Sequence, residues 1–381
     1  MSSDQPASRQ RGRSTSAAPP RGTRCRVRAA ADFEILAVTG DVRALLGWSP
    51  RDMVGRTVYE FVYPSDLGEM RRSHETWLRS PLRQARQYRI RHKNGTFVWI
   101  ESDRQSLHDE TGAVIGAEAE WQRLDSIPEI AAIIRAIEGS EFILHYQPIV
   151  SVETGELTQL EALIRWPREG QMASPGTFIP LAEQSGVVRP LTQWVIERAL
   201  ADRTRLTALG IDVPVAVNIS LRDLVDPLFD AEVLGRVAAA NARPQDLVLE
   251  VTESAVAEMD SHVVARIAKL AAAGLVIAID DFGSGQSSIG RLANLSIGEL
   301  KFDNSLTRQP ETNAELFRIV TAIGRDRGLR VIAEGVERPE QVANLRAFGV
   351  GHIQGYFIAR PMAFESLPAW YETVSRQHRL L

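Results

Sequence analysis

The chain has 381 residues, 44% of them hydrophobic and 24% charged, which is ordinary for a globular protein and enough for a barrel plus a smaller module. No apolar run approaches the roughly 18 residues of a membrane span, so no membrane partner and a cytoplasmic location are expected; the single cysteine, Cys25, excludes an intramolecular disulfide framework. Net charge is −4, yet residues 1–30 hold seven arginines against one acid, and that local +6 leaves −10 for the remainder.

Residues 1–30 are rich in Ser, Pro, Gly and Arg and poor in apolar side chains, which predicts a disordered tail. A solvated tail is the leading reading, ahead of a transit peptide or a weak anion or nucleic-acid contact; no nucleic-acid polymer is expected as a partner. Residues 31–125 read as a small α+β module. Ser49-Pro50 starts a short helix, and a longer one is expected over about 65–79. Strand-like stretches 87–91 and 96–102 flank Asn94-Gly95, read as a type I′ hairpin turn. A second turn falls at Asp109-Glu110-Thr111-Gly112.

The stretches Gly47-Trp48-Ser49-Pro50 through Asp66-Leu67 and Tyr88 through Ser102 make this module resemble a PAS domain. The resemblance implies a sensor or dimerisation module and leaves its ligand, haem or flavin among the candidates, unspecified. His74 is read as a core or partly exposed histidine rather than a haem ligand. Trp77 and Trp99 are read as core rather than flavin partners. Residues 126–140 form a helical connector, with helical apolar spacing over 129–138 and Gly139 as its stop.

From residue 142 short apolar runs alternate with helix-period segments. The runs cover 157–166, 213–220, 247–254, 276–283, 299–303, 329–334 and 352–358; an opening strand over 142–150 precedes them. This alternation predicts a parallel sheet, and eight strands fit a closed (β/α)8 TIM-type barrel over 141–381. Its C-terminal rim would carry Glu161, Asn218, Glu250, Asp280, Asp281, Lys301, Glu334 and Gln354. Asp280-Asp281 ends a buried run and is followed by Phe282-Gly283-Ser284-Gly285. Desolvated carboxylates need a compensating cation or donors. Because adjacent strand residues face opposite ways, both acids can serve one site only where the strand ends and the chain turns, which the glycines would permit.

An oxygen-only donor set suits Mg²⁺, Mn²⁺ or Ca²⁺ rather than structural zinc. The surplus of carboxylates points to two cations sharing one acid, a device for phosphodiester hydrolysis. Lys301 would orient the attacking water or take part in its deprotonation. Gly283-Ser284-Gly285 lacks the third glycine of a dinucleotide-cofactor loop and follows two acids, so that reading is set aside.

The ordered motifs Tyr146-Gln147-Pro148, Glu161-Ala162-Leu163-Ile164-Arg165, Val217-Asn218-Ile219-Ser220, Glu250-Val251-Thr252-Glu253, Asp280-Asp281-Phe282-Gly283, Lys301-Phe302-Asp303, Glu334-Gly335-Val336-Glu337 and Gln354-Gly355-Tyr356 make the second region resemble an EAL domain. The resemblance implies a cyclic di-GMP phosphodiesterase that yields linear pGpG with two Mg²⁺ or Mn²⁺ per site. Glu161, Asn218, Glu250, Asp280, Asp281 and Glu334 would be metal ligands, and Lys301 the catalytic lysine. Glu253 and Glu337 would support the loop after Asp281; Gln147, Arg165 and Gln354 would contact substrate or bound water. Both resemblances imply a homodimer. Ser284 and Gln286 stand where that family usually has Thr and Tyr, and Phe302 where Ile is usual. No cyclase-type domain fits between the modules. A catalytically silent cyclic di-GMP receptor and a pure scaffold are the alternative readings.

Overall fold

The computed structural model describes residues 23–79, 83–124, 128–168, 170–284 and 295–376. The readings made on residues 1–22, on the start of the connector and on Gly285 and Gln286 lie outside them. The described residues divide into two compact units, one of residues 23–70 and 77–131 and the other of residues 71–76 and 132–376.

The first unit is an antiparallel sheet of β1 (Arg24–Ala30), β2 (Ile35–Gly40), β3 (Gln84–Arg91), β4 (Phe97–His108) and β5 (Val114–Arg123) in the order β2-β1-β5-β4-β3. Strand β1 corrects the expected boundary at residue 30, because Arg24–Ala30 is part of the sheet. Its sequence alternates Arg with Cys25, Val27 and Ala29. The apolar set is buried and the arginines face outward, the two-residue period of a half-buried strand. Across the outer face Arg24 pairs with Glu120 at 2.5 Å and Arg28 with Glu118 at 3.3 Å. Cross-strand partners of this kind account for an Arg-rich strand.

The hairpin between β3 and β4 differs from the expected type I′ turn. Asn94 has no positive φ; Gly95 alone does, at 90°. His92 N–H donates to the Thr96 carbonyl, and the Asn94 side chain accepts from Thr96. The connection is thus a three-residue loop with glycine in its left-handed position. Trp77 is buried against Phe33 and Ala117 as expected, whereas Trp99 is half-buried on the outer face, opposite Val98 and Ile100. His74 is buried on the helix Leu67–Arg79.

The second unit follows the expected alternation closely. Its strands are β6 (Ile143–Ser151), β7 (Leu157–Arg168), β8 (Gln171–Ala173), β9 (Val215–Asn218), β10 (Leu247–Thr252), β11 (Val276–Phe282), β12 (Glu299–Phe302), β13 (Arg330–Ala333), β14 (His352–Gln354) and β15 (Met362–Ala363). Pairing runs β6-β14-β13-β12-β11-β10-β9-β7, and a β6–β7 contact closes an eight-stranded barrel. Helices such as Val188–Ala208, Ser261–Ala272 and Ala314–Arg327 connect the strands.

The barrel is not wholly parallel. Strand β6 is antiparallel to both β7 and β14. The physical reason lies in residues 152–156: five residues suffice for a hairpin, while a parallel crossover takes a dozen or more. Side chains two apart share a face, so the inward positions form layers. At one end Arg330 donates to Gln159 at 2.8 Å and to Glu299 at 2.7 Å, and Gln159 donates to Glu299 at 3.0 Å. Ala216, Val248 and Ala278 form an apolar layer above. Two residues further along β9, β10 and β11 come Asn218, Glu250 and Asp280; Glu161 and Lys301 lie two residues beyond Gln159 and Glu299 on β7 and β12, and Glu334 directly follows β13.

Candidate active site

Lys301 is completely buried at the C-terminal end of β12. Its Nζ lies 2.6 Å from Glu334 Oε1, 2.9 Å from Glu250 Oε1, 3.1 Å from Asp280 Oδ1 and 3.5 Å from Glu161 Oε2. These are ion-pair separations; Nζ itself meets no partner in good hydrogen-bond geometry. Burial works to lower the lysine pKa, but Asp280, Glu161, Glu250 and Glu334 outweigh it and hold the pKa well above its ordinary value. Lys301 is therefore an ammonium at neutral pH.

The carboxylates respond in different directions. Burial pushes Glu334 up to about 8, with Asp280 and Glu161 adding to the rise against Lys301. Glu250 is pushed well above the ordinary range by burial and by Glu161 and Asp280. Glu161 is also penalised by burial, but Lys301 and the amides of Gln354 and Asn218 bring it below its usual value. Gln354 Nε2 donates to Glu161 Oε2 at 2.6 Å, and Asn218 Nδ2 to Glu161 Oε1 at 3.1 Å.

The acid pair reaches one site by a device other than the expected one. Strand β11 continues through both acids to Phe282, and its register with β12 shifts between Ile279 and Phe282. Asp280 and Asp281 together oppose Lys301, the two-against-one count of a β-bulge. Asp281 itself takes the left-handed conformation, at φ 56°, which Asp tolerates better than most residues. Gly283, at φ 94°, turns the chain only afterwards. Oxygens of Glu161, Glu250 and Asp280 lie within 4.8 Å of one another, as do those of Asp280, Asp281 and Glu334. Asp280 belongs to both groups. Burial, Asp280 and Asp303 raise Asp281 to about 6.

The remaining expected residues divide. Gln147, inward on β6, accepts from Gln354 at 3.1 Å and donates to the Ala359 carbonyl at 3.1 Å, so it joins the cluster. Arg165 lies four residues beyond Glu161 on the same face of β7 and donates to the Ile164 carbonyl at 2.9 Å; it touches none of the cluster acids. Glu253 is buried outside the cluster and accepts from Gly283 N–H at 2.8 Å, holding the backbone just past Asp281. The Glu337 side chain is exposed and is not brought to the cluster; the loop it was expected to support runs outside the described residues. Tyr356, part of the Gln354-Gly355-Tyr356 motif, was given no role by the sequence; its ring centroid lies 4.1 Å from the Arg360 guanidinium.

The donor set fits divalent cations. Four carboxylates surround one ammonium, Asp281 lies beside two of them, and both oxygens of the fully buried Glu250 lack a hydrogen bond. Buried oxygens without donors at this density are the environment a hard cation satisfies.

Fold and site together define the class: a two-unit α/β protein whose barrel mouth is an oxygen-rich centre suited to divalent cations. The EAL domain family matches residues 130–361, and a PAS fold family matches residues 35–119. The chain belongs to the EAL domain family, with a PAS fold preceding that domain. It is 36% identical over 250 residues to the oxygen sensor protein DosP of Escherichia coli K12, covering 64% of this chain and 31% of DosP. It is 34% identical over 259 residues to the cyclic di-GMP phosphodiesterase PA2567 of Pseudomonas aeruginosa, covering 66% of this chain and 43% of that protein. The chain thus spans less than half the length of either relative. Among solved structures, the PaMucR phosphodiesterase in complex with c-di-GMP superposes with a TM-score of 0.59 at 32% identity, covering 63% of this chain and all of that one.

Proposed function

We propose that the barrel hydrolyses one phosphodiester of cyclic di-GMP to give linear pGpG, that Mg²⁺ or Mn²⁺ supports the reaction, and that the PAS unit regulates it. The observation that carries this reading is Lys301 held within 3.5 Å of four carboxylates in a mouth otherwise built from amides and acids. Glu161, Asn218, Glu250, Asp280, Asp281 and Glu334 would hold the cations, with Asp280 common to both. Bound there, two divalent cations would supply charge neutralisation and activation of water for attack on phosphorus.

The chain's own groups do the rest. Lys301, fully buried among the acids, would orient the attacking water or take part in its deprotonation, and would steady negative charge developing on the phosphoryl oxygens. Gln354 and Asn218 grip Glu161 from both sides and fix its orientation. Arg165, further up the same strand face, would meet a phosphate oxygen. Glu253 holds the Gly283 backbone and so the position of Asp281. A homodimer working in the cytoplasm completes the proposal, in keeping with the absence, among the described residues, of any helix long and apolar enough to cross a membrane.

The test is titration of cyclic di-GMP into purified protein with Mg²⁺ or Mn²⁺, followed by chromatography of the nucleotide. Binding accompanied by pGpG supports the enzyme. Tight binding with the ligand recovered intact would define a receptor instead, and no binding would leave a scaffold.

A further inference from the structure

Two glycines follow acids of the site closely, Gly283 after Asp281 and Gly335 after Glu334, and both take the left-handed conformation, at φ 94° and 66°. One short helix, Asn304–Thr307, packs against both of them. A Cβ at Gly283 would collide with Leu306 Cδ1 and lie 3.3 Å from its Cγ; a Cβ at Gly335 would lie 2.6 Å from the Asn304 Cβ. The helix therefore stands between the backbone that carries Asp281 and the backbone that carries Glu334.

Both ends of this helix are fixed. Asp303 N–H donates to the Phe282 carbonyl at 3.1 Å, and Glu334 N–H to the Phe302 carbonyl at 3.2 Å, which ties its root to the strands on either side. The Asp303 carboxylate accepts from Ser305 N–H at 2.9 Å and starts the helix. At the other end the buried Gln341 donates to the Thr307 carbonyl at 2.7 Å, while its Oε1 accepts from Glu337 N–H at 2.9 Å and Arg338 N–H at 2.8 Å. One side chain thus joins the end of the helix to the loop after Glu334. Gly283 N–H is held in turn by Glu253 at 2.8 Å.

Asp280, Asp281 and Glu334 bring oxygens within 4.8 Å of one another. A hard cation takes oxygens at about 2.0–2.6 Å, and such a set functions when its members are held to within about 0.5 Å. Strand register alone does not supply that spacing here, because Asp281 sits in a bulge and Glu334 lies just past the end of β13. Glu161 and Glu250, by contrast, lie within β7 and β10.

We propose that the helix Asn304–Thr307 is the strut that sets the distance between Asp281 and Glu334, with Leu306 as its positioning residue. It builds the second cation site and leaves the first, at Glu161, Glu250 and Asp280, to the strands. The inference deepens the two-cation reading of the acid cluster and rests on it, whatever nucleotide the barrel takes.

The experiment titrates Mn²⁺ into the metal-free full chain by calorimetry and follows the bound ions by electron paramagnetic resonance, in which two Mn²⁺ about 3.5–4 Å apart give a spin-coupled spectrum. Wild type should take up two ions. Leu306→Ala should weaken the second by roughly 10- to 100-fold, keep the first within about twofold and lose the coupled spectrum at metal concentrations that saturate wild type. Leu306→Met, which nearly conserves volume and reach, should keep both ions and the coupling. Leu270→Ala truncates a fully buried leucine on the helix Ser261–Ala272. It should melt at least as low as Leu306→Ala and still bind both ions, which separates spacing from a general loss of stability. Wild-type affinities in Leu306→Ala, equal weakening of both sites, a Leu306→Met variant as weak as Ala, or the same selective loss in Leu270→Ala would overturn the strut while the two-cation reading stands. A wild type that takes up fewer than two ions would overturn the two-cation reading and the strut with it.

Discussion

Replacing Lys301 with methionine probes the electrostatic logic of the site most sharply. The side chain is fully buried and its volume is nearly conserved, so the main change is loss of the ammonium that sits within 3.5 Å of Glu161, Glu250, Asp280 and Glu334. Breaking a buried charge pair from one side typically costs about 3–5 kcal/mol. Each kcal/mol lowers the melting temperature of a domain this size by about 2–4 °C, so metal-free Lys301→Met should melt roughly 6–20 °C below wild type at pH 8. The lysine's folded pKa is raised, so its stabilisation is fully present below the pKa of an unfolded lysine and is in force at pH 8. At pH 5 the deficit should shrink, because Glu334 and Asp281, raised to about 8 and about 6, are then protonated and fewer charges remain uncompensated. Differential scanning calorimetry in EDTA at the two pH values measures both effects. A variant melting within about 2 °C of wild type at pH 8 would refute the reasoning.

Four further outcomes are expected. In metal-free wild type, Glu334 and Asp281 bind protons more tightly folded than unfolded, so stability should fall as pH climbs from about 4 towards 8; Mn²⁺ should flatten the fall, and Glu334→Gln should remove its upper part, both read from melting temperature against pH. Glu253→Ala frees the Gly283 N–H and should weaken Mn²⁺ binding, read by calorimetric titration, with the melting temperature reporting any wider loss. Gly355→Ala forces its methyl against the Val336 carbonyl and should cost activity and stability together. On the first unit, Arg24→Ala and Arg28→Ala remove exposed ion pairs and should each change stability by about 0–1 kcal/mol in urea melts.

The barrel was legible because its strands are short apolar runs with polar ends and its helices carry clean periodicity; β7, β10, β11 and β12 begin where the runs begin. The acid cluster was legible too, since residues at equivalent depths on parallel strands converge of necessity. What escaped has identifiable physical causes. Strand β1 was hidden because composition over 1–30 overrode the alternation of Arg24, Arg26 and Arg28 with Cys25, Val27 and Ala29, and the carboxylates that neutralise those arginines lie about 90 residues away on β5. The direction of β6 was encoded in the five-residue connection 152–156, a length the barrel analogy passed over. The bulge at Asp280-Asp281 depends on register with β12, a relation between segments that no single stretch displays.

The central claim is tested most directly by the product formed from cyclic di-GMP. Wild type with Mn²⁺ should convert the cyclic dinucleotide to a linear species one water heavier, seen by mass spectrometry, and Glu161→Ala should leave it cyclic under the same conditions. Intact cyclic dinucleotide after prolonged incubation with metal-loaded wild type, or equal conversion by Glu161→Ala, would contradict the account.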